Sequence, residues 1–269
     1  MIKYYVVKDD AAFDALSEAL ILQEADSLRA CEHENVIKYY EHGLDFINSD
    51  GTLPQKVHFI VVEYLPGGTL FELCTENALD QSLICFIFIE IVRVVHFLNT
   101  KGYAHLDLKL ENIMIDKDGK IKLIDFGFAS RLQGVNGKLR TYGGTKNYMA
   151  PEIYRKVPYL GMYADVFAIG VVLFAMVARK FPFGVASNTD GYYVYIYKGY
   201  ITEFWALVNK SMAVPLAENL KLLLTGLLIN TPITRLSIPE IIQQNWVINT
   251  PKPSKLEAQT QIKALRNLH

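Results

Sequence analysis

His105-Leu106-Asp107-Leu108-Lys109-Leu110-Glu111-Asn112 is the stretch on which the reading of this chain turns. It sets ionisable and amide side chains between an apolar helical pattern at 80–100 and a short apolar strand at 113–115. A second strand at 120–124, reached through the turn signal Asp118-Gly119, leads into Asp125-Phe126-Gly127. Two acids and an amide at the mouths of adjacent strands point to divalent-metal and phosphate chemistry. Hard oxygen donors suit magnesium, and a carboxylate beside the metal rather than on it can take a hydroxyl proton.

Upstream of this stretch, residues 3–7 read as a strand, and 11–31 carry Phe13, Leu16, Leu20 and Leu28 at helical spacing. Residues 36–40 and 57–64 read as strands flanking a turn at Asp50-Gly51, and Pro66-Gly67-Gly68 ends the strand-rich part. Downstream, 130–145 is a polar, glycine-bearing loop and 163–179 is an almost wholly apolar core helix. Residues 220–228 and 238–245 are further helices, and the tail after Thr250 reads as weakly helical and peripheral.

The 269 residues include 27 basic and 28 acidic side chains, for a net charge of -1. A hydrophobic share of 51% with only 20% charged excludes a disordered chain. The balanced charge argues against a nucleic-acid partner. Cys31, Cys74 and Cys85 are too few and too scattered for a disulfide framework or a zinc site, which fits a reducing, cytoplasmic setting. The apolar runs at 166–178 and 84–98 fall short of the roughly 20 residues of a membrane span, so no membrane association is expected. No signal peptide is read at the N-terminus.

With Gly144-Thr145-Lys146-Asn147-Tyr148-Met149-Ala150-Pro151-Glu152, the motifs H-x-D-L-K-x-x-N and D-F-G stand in the order and rough spacing of eukaryotic protein kinases. The chain resembles that family over nearly its whole length. The resemblance implies a two-lobed α+β fold, with a reduced N-terminal strand lobe and a mainly helical C-terminal lobe. The kinase domain would span 1–250, with a partial N-lobe at 1–63, a hinge at 64–70 and a C-lobe at 71–250; 251–269 would be a tail.

The implied activity is transfer of the ATP γ-phosphate to Ser/Thr hydroxyls of protein substrates, with ATP and Mg2+ as cofactors. Asp107 would accept or orient the hydroxyl proton, Lys109 would contact the transferred phosphoryl group, and Asn112 and Asp125 would hold magnesium. Phosphoryl transfer calls for such a set because it is mostly positioning and charge neutralisation. His105 and Phe126 resemble packed structural residues. At the hinge, the Glu63 carbonyl and Leu65 amide would meet adenine, with Val62 as gatekeeper and Met114 beneath the ring. Glu152 would pair with Arg235, and Asp165 would brace the catalytic loop. Lys109 and Gly144-Thr145 resemble the serine/threonine branch. Phe181-Pro182-Phe183 and Phe204-Trp205 resemble the calmodulin-dependent-kinase-like group. Glu111 matches a residue that meets a substrate arginine in basophilic members, but two other acidic positions are Thr69 and Ala175, so that preference stays open.

Three departures stand out. Leu106 replaces the arginine that grips a phosphorylated activation segment, which leaves a phosphate on Thr141 without its main partner. The strand lysine is Lys3 or Lys8. Lys3 is favoured because Tyr5 two residues on can pack inward; its helix partner is expected to be Glu24, with Glu18 second. Finally, no G-x-G-x-x-G turn precedes the lysine. Each lost backbone donor of that kind costs about 10²–10³ in rate, although such losses need not add. An N-terminal truncation is the simplest account, and the lysine strand would then form an exposed edge. The alternatives are a catalytically impaired pseudokinase-like scaffold and a small-molecule phosphotransferase. The latter requires that 144–152 not pack beside Asp107.

Overall fold

The computed structural model describes residues 1–6, 11–47, 55–132 and 137–268. Lys8 and the Asp50-Gly51 turn lie outside the described residues. The valine- and isoleucine-rich run at 55–62 forms the central strand β3 (Gln55–Val62) of a three-stranded antiparallel sheet. It pairs with β1 (Ile2–Val6) on one side and β2 (Tyr39–Ile47) on the other. Among the described residues β1 is therefore an edge. Helix α1 (Ala11–Ala30) turns Ile21, Glu24, Ala25 and Leu28 inward, the spacing of one helical face.

The strand expected at 36–40 starts later and runs longer, because 35–37 is tied to the other lobe. Asn35 donates through its side chain to the Ile121 carbonyl, Leu123 N–H donates to the Asn35 carbonyl, and Ile37 N–H donates to the Leu123 carbonyl.

The helical lobe begins with α2 (Leu70–Glu76), closed by a Thr69/Glu72 capping box. Helix α3 (Gln81–Thr100) is capped by Asp80. Strand β4 (Tyr103–Ala104) pairs with β7 (Ser130–Arg131), and β5 (Ile113–Ile115) pairs with β6 (Ile121–Leu123) across the Asp118-Gly119 hairpin. After α4 (Pro151–Tyr154) comes α5 (Gly161–Ala178), buried on nearly every side and packed against α3 and α8 (Glu218–Leu228). By length and composition alone, α3 and α5 could each cross a membrane, which the shorter runs read from the sequence understated. Both are mostly buried within this lobe, as a helix apolar all round must be.

Helices α6 (Tyr193–Lys198) and α7 (Ile201–Lys210) were not evident in the tyrosine-rich sequence. The helix expected at 238–245 is two, α9 (Ile238–Ile242) and α10 (Asn245–Asn249), separated at Gln243-Gln244. The tail is not peripheral. Its helix α11 (Lys255–Leu265) starts from a Ser254/Glu257 capping box and buries Ala258 and Ile262.

Candidate active site

The β5–β6 hairpin fixes the centre. Ile124 N–H donates to the Asn112 carbonyl at 2.9 Å, so the residue just before Asp125 is registered against Asn112. Asn112 donates its side-chain Nδ2 to both the backbone carbonyl and Oδ2 of Asp107, each at 2.9 Å. Lys109 Nζ also donates to Asp107 Oδ2, at 2.7 Å. The other carboxylate oxygen, Oδ1, accepts the backbone N–H of Thr145 at 3.0 Å and its hydroxyl at 3.1 Å. Lys109 closes the ring by donating to Thr145 Oγ1 at 2.9 Å. Gly144 makes this approach possible: it sits at φ +110, and a Cβ there would stand 3.1 Å from the Leu106 carbonyl oxygen. Segment 144–152 therefore packs against Asp107, which removes the observation a small-molecule phosphotransferase would need. Thr145, quoted from the sequence only as a branch marker, is a direct partner of both Asp107 and Lys109.

Two non-glycine residues in the left-handed region flank this centre, Leu106 (φ 66) and Asp125 (φ 60). An aspartate tolerates that conformation, whereas a leucine does not readily adopt it. Asp165, wholly buried in α5, holds Leu106 there: its two oxygens accept the His105 and Leu106 amides at 2.7 and 2.8 Å. Burial pushes the Asp165 carboxyl up to about 7, against the pull of those two amides. His105 is fully buried with its ring edge-on to Phe126. Its Nε2 donates to the Ile124 carbonyl at 3.0 Å, and its Nδ1 accepts the Asp107 amide at 3.3 Å. Burial holds its pKa below the ordinary histidine value, so this ring stays neutral and structural.

Lys3 reaches across the crevice to Glu24 at 2.9 Å and to Asp125 Oδ1 at 2.8 Å. Burial works against its charge, but Glu24 and Asp125 more than offset that and raise its pKa. Burial also opposes the charge on Asp125, yet the Lys3 hydrogen bond holds that carboxyl below the usual range. Glu24 itself is raised by burial, despite Lys3. Glu18 is exposed, which excludes it as the helix partner.

At the junction of the lobes, Val62 and Leu65 are buried, Met114 is half-buried and bridges to Thr69, and the Glu63 carboxylate pairs with Lys122 at 2.8 Å. Glu111 accepts the Tyr148 hydroxyl at 3.2 Å. Glu152 and Arg235 form a buried bidentate pair with both bonds at 2.7 Å.

The profile of the family described as "Protein kinase domain" matches residues 3–247. The chain is 34% identical over 242 residues to CBL-interacting protein kinase 12 of Oryza sativa subsp. japonica, covering 88% of this chain and 41% of that protein. It is 32% identical over 228 residues to the maternal embryonic leucine zipper kinase of Xenopus tropicalis, covering 84% and 32%. CBL-interacting serine/threonine-protein kinase 26 of Arabidopsis thaliana is 30% identical over 241 residues, covering 88% and 50%. The chain thus spans half or less of the length of these relatives. On the match over 3–247 and on these identities, the chain belongs to the protein kinase domain family.

Proposed function

We propose that this chain is a serine/threonine protein kinase that transfers the γ-phosphate of ATP to hydroxyls of protein substrates. The observation that carries the proposal is the convergence of Lys109, Asn112 and Thr145 on the one carboxylate of Asp107. The donors fix that carboxylate and aim it, placed to receive a substrate hydroxyl proton. Thr145 ties the segment that would carry the substrate to the same carboxylate. Lys109 can shift from Asp107 and Thr145 to the phosphoryl oxygens as negative charge moves outward.

Asn112 gives its Nδ2 to Asp107, which leaves its Oδ1 as a donor for a cation; with Asp125 it makes the hard-oxygen pair that fits Mg2+. Two protein oxygens are in keeping with magnesium, which keeps several waters and takes phosphate oxygens. Bound there, the ion would neutralise charge on the phosphates. Lys3, oriented by Glu24, is suited to the same phosphates. The Glu63 carbonyl and Leu65 amide are suited to adenine, between Val62 and Met114. The scaffold alternative is not favoured, since a scaffold has no chemical need for Asp107, Asn112 and Asp125 together. We propose a cytoplasmic setting as well. The free, buried cysteines support it, and a fluorescent fusion found outside the cytoplasm would contradict it.

A thermal-shift series with ATP, with and without magnesium, followed by labelled-phosphate transfer beside Asp107→Asn, tests the assignment. The expected result is a magnesium-dependent rise in melting temperature and transfer above the mutant. No shift and no transfer above Asp107→Asn would overturn it. Lys3→Met is expected to lower kcat/KM by about 10²-fold, the scale of one preorganised charged donor; steady-state kinetics within a few fold of the unaltered chain would remove Lys3 from the site. Thr141→Ala is expected to change the rate less than twofold. Leu106 offers a phosphate there no charge, and what the Thr141 backbone does, accepting the Tyr159 hydroxyl at 2.7 Å, survives the substitution. Loss of activity on phosphatase treatment, restored by rephosphorylating Thr141, would contradict this.

A further inference from the structure

Gly67 lies two residues beyond Leu65, where the chain leaves the hinge for α2. Its peptide is held from both sides. On the inside, Gly67 N–H donates to the Ile115 carbonyl at 3.0 Å and Ile115 N–H donates to the Gly68 carbonyl at 2.9 Å. With the Thr69–Met114 bridge, these contacts register the hinge exit against β5, the strand that carries Met114. On the outside, the Gly67 carbonyl accepts Nε of Arg266 at 2.6 Å. The same guanidinium donates to Glu72 at 3.0 Å and to Glu76 at 2.6 Å, one and two turns into α2. Glu72 is also the capping-box residue that accepts the Thr69 amide at 2.9 Å.

Arg266 comes from the last turn of the tail, beyond the residues that match the kinase family. Its side chain is only 14% exposed. The far end of the same helix is tied to the other lobe, where Lys255 donates to Glu34 at 2.8 and 2.9 Å, an exposed pair. Gly68, at φ +71, leaves no room for a side chain between Glu72 and Arg266, since a Cβ there would collide with both.

We infer that Arg266 is a positioning residue for nucleotide binding. Its guanidinium fixes the Gly67 peptide and the start of α2, and so holds the hinge backbone and Met114 in the register that receives adenine. This rests on the reading of the crevice as an ATP site. The fork geometry matters: the three acceptors lie one against each nitrogen of the planar guanidinium, a spread that the single point of an ammonium does not reproduce. Without Arg266, the Gly67 carbonyl loses a charge-assisted partner, and Glu72 and Glu76 face each other across one helix turn with no cation between them.

The test is ATP·Mg2+ affinity, measured by titration calorimetry, and steady-state kinetics on the full chain. Arg266→Gln is expected to weaken ATP binding and raise KM for ATP about five- to tenfold, the effect of one lost charge-assisted hydrogen bond passed on in part. The expected change in kcat is less than twofold, because nothing at Asp107 is touched. Arg266→Lys keeps the charge but not the fork, and should fall between the two. Lys255→Ala cuts only the exposed pair at the other end of the helix and should leave ATP affinity within twofold. Should Arg266→Gln fail to fold, Arg266→Lys and Glu76→Gln carry the same comparison.

A kcat that falls with KM unchanged, or equal losses of affinity in Arg266→Gln and Lys255→Ala, would reduce Arg266 to general support and overturn the inference. Unaltered affinity in Arg266→Gln overturns it alone. Failure of the unaltered chain to bind ATP·Mg2+ overturns the nucleotide-site reading, and this inference with it.

Discussion

Asp107→Asn is expected to lower the proposed phosphate transfer by about 10²–10⁴-fold and to leave the chain folded. The substitution keeps the shape of the side chain and deletes the one group able to take the hydroxyl proton. It also reverses one end of a crowded network. Oδ2 faces two donors, Lys109 and Asn112, and Oδ1 faces two more from Thr145. Whichever way the new amide turns, its NH2 confronts donors, so the substrate-bearing segment loosens at Thr145 as the base disappears. The local penalty of one mismatched buried donor is about 1–3 kcal/mol. For a chain of this size that amounts to a melting shift of a few degrees, small beside the loss of rate. Labelled-phosphate transfer with a denaturation scan separates the two effects. A residual rate within tenfold of the unaltered chain would mean that another group receives the proton.

The second large effect falls on stability. Glu152, at the start of α4, and Arg235, just before α9, are 3% and 0% exposed at their side chains. Arg235 also donates to the Ile229 carbonyl at 3.0 Å and the Tyr163 carbonyl at 2.8 Å, and it lies 4.9 Å from the centre of the Phe167 ring. Arg235→Met strands the Glu152 carboxylate in a place water does not reach and removes a donor from three carbonyls, Ile229, Tyr163 and Asn230. Breaking a buried pair from one side costs about 3–5 kcal/mol. At about 2–4 °C per kcal/mol for a domain of this size, the melting temperature should drop by about 10 °C or more. Replacing both partners together, Glu152→Met with Arg235→Met, should cost less than Arg235→Met alone, since no charge is then left unpaired. A double variant less stable than the single one would show that the pair contributes more than mutual neutralisation.

The candidate site was legible where its partners are close in sequence or fixed by short motifs. His105 through Asn112 form one continuous loop, and Asp125 follows the strand that pairs with 113–115. The Lys3–Glu24 pair was legible in part: the resemblance placed Glu24 by its distance from His33, while the lysine stayed between Lys3 and Lys8 until the structure put Lys3 against Glu24. Long-range contacts were legible only where the resemblance named them, as for Glu152 with Arg235 and for Asp165 beneath the 105–112 loop; the others were not. Thr145 meets Asp107 only because Gly144 adopts a backbone turn that side chains oppose, and Leu106 sits in a conformation that only the distant Asp165 makes tolerable. In the strand lobe, the segment at 36–40 looks like sheet by composition, yet its first half bonds to β6 across the lobe boundary. The tail was misread because only Ala258 and Ile262 of α11 face inward, too sparse a stripe to stand out among its charges. Arg266 carried no sequence signal at all.

Helix α5 has a bearing on how the chain is made. It offers no polar face to solvent; α3, made earlier, packs on one side, and the other is covered only when α8, which follows it in the sequence, packs along it. During synthesis, at roughly 5–20 residues per second, the ribosome finishes α5 seconds before Leu228 exists to shield it. For that interval the nascent chain carries an apolar helix with the α8-facing side uncovered, the kind of surface that chaperones hold and that aggregates when they are scarce. The element that anchors Asp165 beneath the 105–112 loop is thus also one whose cover comes from residues made after it.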